Sequence, residues 1–144
     1  MKEKILNNLG LMRRANAIAI GETNTGAAVR GGKAVILGLA SDASQNARSR
    51  AEGFVYGRST VLITLPFTKE EISEHVGVSG CSMVAITDSG FANALMKSLA
   101  ATWPENYTEA AETIAARYSK AAKRKAEAAA HERNKRNGKR RTNA

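Results

Sequence analysis

The chain has 144 residues, one domain's worth, and its 43% apolar content with 12 glycines and 2 prolines is the balance of a folded globular protein. Its 22 lysines and arginines outweigh 13 acidic residues for a formal charge of +9, which makes a polyanion the first partner to consider, nucleic acid ahead of an anionic membrane. One cysteine excludes an internal disulfide and a cysteine-rich zinc site. The longest apolar run, residues 34–40, falls far short of the roughly 20 a membrane helix needs, and residues 1–11 are too polar for a signal sequence, so the expected setting is the cytoplasm, with no membrane partner.

In chain order, Ile5, Leu6, Leu9 and Met12 fall on one helical face and predict a first amphipathic helix with Arg13 and Arg14 beside it. A short apolar step, residues 17–20, meets Gly21. Residues 22–30 read as a helix closed by Gly31 and Gly32, and the unbroken apolar run 35–40 as a buried strand. Asp42 with Gln45 reads as the cap pair of a helix to about Glu52. A strand is expected over 60–65, and Thr68 with Glu71 forms a capping box before Ile72 and Val76. Residues 82–87 make a third clear strand, and Phe91, Leu95 and Leu99 mark the core face of the helix after it. Phe54, Phe67 and Phe91 all fall where core packing is expected. Strands alternating with helices imply an α/β domain over residues 1–104, three layers with helices on both faces of a small sheet.

Charge divides the chain at Pro104. Residues 1–104 hold 11 basic and 8 acidic side chains, net +3, whereas residues 105–144 hold 11 basic and 5 acidic, net +6. A stripe at helical spacing, Tyr107, Ala111, Ile114 and Tyr118, predicts a helix to about His131, followed from Arg133 by a disordered, solvated end. The domain of residues 1–104 is expected to fold without this basic extension. So dense a basic run exceeds what solubility requires, and Lys120, Lys123 and Arg124 are placed to follow a phosphate backbone.

Catalytic motifs fail on inspection. The run from Gly26 to Lys33 lacks the Gly-Lys-Ser/Thr ending of a phosphate-binding loop and precedes a strand instead of following one. Gly77-Val78-Ser79-Gly80 resembles a nucleophile elbow with its second glycine one residue early, and neither His75 nor His131 has a partner acid at a diagnostic position. Nothing specifies an enzyme, a cofactor, a metal or a small-molecule substrate. Cys81 beside that loop reads as a small, half-buried residue at a strand start.

The run LGLMRRANAIAIGETNTGAAVRGGKAVILGLASDAS, Leu9 to Ser44, and MVAITDSGFANAL, Met83 to Leu95, resemble the bacterial YlxQ-type branch of the kink-turn-binding ribosomal protein superfamily, over about residues 3–100. The resemblance implies an α/β/α sandwich with a four-stranded mixed sheet, no cofactor, and RNA held at one end. The expected partner is structured RNA, ribosomal RNA foremost, bound by a monomer. In relatives that bind kink-turns, a Gly-x-Asn-Glu-x-x-Lys stretch opens the second helix; here it falls on Gly21, Glu22, Thr23, Asn24 and the residues to Ala27, so the glycine is kept while Thr23, Asn24 and Ala27 replace the asparagine, glutamate and lysine. The backbone part of such a site, free N–H groups at a helix start, survives this change. The resemblance places a second contact on the loop before the last strand, Val78, Ser79, Gly80, Cys81 and Ser82, which reads equally as an ordinary glycine turn. Two other readings stand beside RNA binding: a protein-interaction module of the same fold, and a substrate-binding domain related to RNA 2'-O-methyltransferases.

Overall fold

The computed structural model describes residues 2–142. Its elements run α1 (Lys2–Arg14), β1 (Ile18–Ile20), α2 (Glu22–Arg30), β2 (Ile36–Leu39), α3 (Gln45–Val55), β3 (Val61–Thr64), α4 (Lys69–Val76), β4 (Met83–Ile86), α5 (Ser89–Thr102) and α6 (Pro104–Thr142). The sheet order is β1-β4-β2-β3. β4 pairs antiparallel with β1 and β2, and β2 pairs parallel with β3, which makes the mixed four-stranded sheet that the resemblance implies.

Alternation along the strands sorts the core into two clusters. Ile18, Ile36, Ile63, Val84 and Ile86 point into a large cluster built with α1, α4, α5 and α6. Their neighbours Leu37, Leu39, Met83 and Ala85 point into a smaller one built with α2 and α3. Because successive side chains leave opposite faces of a strand, the two clusters lie on opposite faces of the sheet. The expected stripe of α1 is buried at Ile5, Leu6, Leu9 and Met12. Phe67 is fully buried, while Phe54 and Phe91 are partly buried and pack on the cluster margins.

Local signals hold where both partners lie within one turn. Thr68 Oγ1 accepts the Glu71 N–H at 3.2 Å, and Glu71 accepts the Thr68 N–H at 3.0 Å, closing the capping box expected for α4. The helix expected to start with Asp42 starts differently. Ser44 caps α3 by accepting the Ala47 N–H, and Asp42, still in the turn after β2, accepts the Lys69 N–H at 2.8 Å and so serves the first turn of α4. α3 also runs past Glu52 to Val55.

The extension departs from expectation at both ends. Tyr107 and Ile114 are buried in the larger cluster, so the core continues beyond Pro104, and Tyr118, the last member of the stripe, is 40% exposed. The helix does not give way at Arg133 but continues to Thr142. The reason is cooperative: the packed start removes the nucleation cost, Ala, Lys, Arg and Glu favour propagation to Glu132, and beyond it lysines and arginines with no proline carry the helix on against the weaker propensity of Asn134, Asn137 and Gly138. Asn143 and Ala144, also expected to be disordered, lie outside the described residues. No described helix is long and apolar enough to cross a membrane.

Register gives the sheet two distinct ends. Leu39 lies opposite Thr64 and Met83, and Val84 opposite Ile20. β1, β2 and β3 therefore finish where β4 begins, and α2, α3 and α4 all start from that end. At the far end, about 10 Å away along strands rising 3.3 Å per residue, Ile36 lies opposite Val61 and Ile86, and Ile18 opposite Ile86.

Candidate nucleic-acid interface

The three helix starts and the loop between α4 and β4 surround one cleft of about 510 Å³, lined among others by Glu22, Ser44, Arg50, Lys69, Ser79 and Gly80. Each helix brings N–H groups that its own hydrogen bonding leaves free. In α3 Ser44 occupies one of them, and in α4 Thr68 and Asp42 occupy two, those of Glu71 and Lys69. α2 begins at Gly21 with no side-chain cap. Its first turn consequently presents uncapped donors with the positive end of the helix dipole behind them, which is the arrangement that accepts a phosphate.

Gly21 is held in place by its N–H donating to the Met83 carbonyl at 3.1 Å, which ties the start of α2 to the start of β4. Its backbone, at φ +89° and ψ 164°, lies in a region that essentially only glycine enters. A Cβ there would meet nothing within 4 Å, so glycine is required by conformation and not by crowding. The glycine that suggested a phosphate loop has the opposite reason. A Cβ on Gly26 would come within 2.8 Å of the Phe54 ring, so its absence lets α2 pack closely on α3.

The two segments singled out by resemblance come together here. Glu22, Ser79, Gly80 and Ser82 line this cleft. Asn24 and Val78 line its neighbour, a groove of about 820 Å³ along the edge strand β1 that also takes in Ala27 and Lys33. Thr23 is exposed. Two of these side chains already have partners: Glu22 pairs with Arg50 at 2.9 Å, and Asn24 Nδ2 donates to the Ile20 carbonyl at 3.0 Å. Cys81 differs from the half-buried position expected. It is 1% exposed, its thiol donates to the Val78 carbonyl at 3.1 Å, and burial raises the thiol pKa, so it holds the loop's shape from below.

Lys120, Lys123 and Arg124 are exposed but stand apart from this cleft. The Tyr107 hydroxyl donates to the Thr64 carbonyl at the helix-start end, and Arg117 donates to the Ser59 carbonyl just before β3, at the far end. α6 thus runs antiparallel to β3 and carries its cations away from the cleft. The sequence did not single out Arg50, Lys69 or Ser44. No local motif marks them, because only the order of strands brings three helix starts around one cleft.

No protein-family model matches the chain. It is 32% identical over 91 residues to a protein of Enterococcus faecium named RNA-binding protein YlxQ, an alignment covering 63% of this chain and 86% of that protein. Among solved structures, a protein of unknown function from Bacillus halodurans C superposes with a TM-score of 0.58 at 23% identity, covering 64% of this chain and 92% of the other, a likeness of fold.

Proposed function

The chain belongs to the YlxQ family, and on that premise we propose that it is a non-catalytic protein that binds structured RNA, of the kink-turn kind and ribosomal in origin, at the end of the sheet where α2, α3 and α4 begin. The observation that carries this reading is the uncapped start of α2 beside the Val78–Ser82 loop. Backbone donors can take a phosphate there whatever the side chains are, and the small residues Ser79 and Gly80, both exposed, allow a nucleotide to approach the loop closely. Thr23, Asn24 and Ala27 supply less to base edges than an asparagine, glutamate and lysine, so affinity leans on shape and backbone contacts.

Ala27 offers a direct test, since it is exposed and lines the groove with Asn24. The full chain and its Ala27→Lys variant are titrated against a kink-turn RNA and a straight duplex of equal length. The wild type is expected to prefer the kink-turn, and the variant to tighten that preference about thirtyfold, the middle of the roughly 1 to 3 kcal/mol of a good base contact. Equal affinity of both proteins for both RNAs would remove this reading in favour of a protein-interaction module.

A further inference from the structure

We propose that the far end of the sheet is a second RNA-contact surface, in which Lys33, Arg58 and Arg117 hold phosphates and Tyr56 stacks an unpaired base. The inference rests on RNA being the ligand, as in the proposed function, but assigns it to a different part of the molecule. Lys33 and Arg117 line one small cleft of about 230 Å³ together with Ser59 and Tyr118. Arg58 adjoins it, donating to the Arg30 carbonyl at 3.1 Å at the end of α2. A helix C-terminus repels anions; here the guanidinium covers it and keeps further N–H donors to offer. Asp88 also stands at this end, where its carboxylate accepts the Phe91 N–H.

Charge separates the two ends. At the helix-start end Arg50 is paired with Glu22, and Glu70 lies in the same cleft as Lys69. At the far end, among the described residues, Lys33, Arg58 and Arg117 form no ion pair. α6 then prolongs the patch. Arg117, Lys120 and Arg124 fall three and four residues apart on one helix face, so at 1.5 Å per residue the row extends about 10 Å beyond the cleft. Tyr56 is 88% exposed and separated from Arg58 by Gly57 alone. An aromatic ring left in solvent two residues along the chain from a cation that forms no ion pair offers what single-stranded nucleic acid uses: a stacking platform with a phosphate contact near it.

The test uses the full chain and a labelled 12-nucleotide oligouridylate, which cannot form a kink-turn. Lys33→Gln/Lys120→Gln is compared with Lys4→Gln/Lys97→Gln, which removes the same charge from exposed positions elsewhere. The first pair is expected to weaken binding well beyond the second and to lower the slope of log affinity against log salt by about 1.4, two single-strand phosphates' worth. Tyr56→Ala, with an unchanged melting temperature, is expected to weaken binding fivefold or more. Kink-turn preference over duplex should persist in Tyr56→Ala, whose residue lines neither the helix-start cleft nor the β1 groove. If the first pair costs no more than the control pair, or Tyr56→Ala binds as wild type does, the surface is overturned. A wild type with no kink-turn preference that still shows these losses would overturn the helix-start site and leave this one standing.

Discussion

Tyr107 shows how a single side chain ties the extension to the sheet. Its ring is buried against Trp103, edge to face at 6.4 Å, and its hydroxyl donates to the Thr64 carbonyl. Burial raises the phenol's pKa above its ordinary value of 10.0. The folded state therefore holds this proton more tightly than the unfolded chain, and the stability it gives is complete below about pH 10 and lost as pH climbs through the raised value. Tyr107→Phe should cost about 0.5–1.5 kcal/mol at pH 7, the worth of one hydrogen bond, and should abolish that alkaline loss. Urea melts of both proteins at pH 7 and above pH 10 check both parts. Gly21 makes a second case. Because its φ is +89° with open space around the absent Cβ, Gly21→Ala should lower stability by about 1–3 kcal/mol through backbone strain alone, measured by the same melts.

Elements were legible in the sequence to the degree that their signals were local. The Thr68–Glu71 box and the α1 stripe depend on residues within two turns of each other and are found where the pattern puts them. Asp42 fitted a cap pattern equally well, yet its hydrogen-bond partner is 27 residues away, and only the sheet brings the two together. The difference predicts separate effects. Ser44→Ala should destabilise the protein by about 1 kcal/mol through loss of the α3 cap, while Asp42→Ala should leave α3 protected and raise hydrogen exchange at the Lys69 amide; amide exchange read by NMR distinguishes them. The extension follows the same rule. Composition shifts at Pro104, but burial does not, since Tyr107 and Ile114 enter the larger cluster. Ending the chain at residue 104 exposes the core they cover, at about 1.5–3 kcal/mol for each large apolar side chain, a large share of a typical total of about 5–15 kcal/mol. A chain of residues 1–104 should melt well below the full protein or aggregate, and one of residues 1–118 should melt with it, as calorimetry can show.

At the scale of the whole molecule, the sequence indicated the two segments that meet at the helix-start cleft but not the cleft itself. Gly21 to Asn24 and Val78 to Ser82 were marked by resemblance, whereas Arg50 and Lys69 reach the same place only because β4 inserts between β1 and β2 and β3 pairs with β2. Charge was the other visible quantity, and the fold gives it a direction: α6 carries its exposed Lys120, Lys123 and Arg124 off the far end, away from the uncapped start of α2. Under the proposed function this arrangement divides the work. Contacts to phosphates fix affinity without reading sequence, so the extension should strengthen binding to every RNA alike, while discrimination stays with the helix-start end. Among the residues whose burial is described, deleting residues 119–144 removes none of the buried core, and the melting temperature should not change. Binding to a kink-turn and to a straight duplex should weaken by a similar factor. Each duplex phosphate that the shortened protein no longer neutralises should also take about 0.9 from the slope of log affinity against log salt. Titrations of both proteins with both RNAs at several salt concentrations decide the matter: an unchanged slope would make the extension a solubility appendage, and an absent kink-turn preference in the shortened chain would place RNA reading in α6.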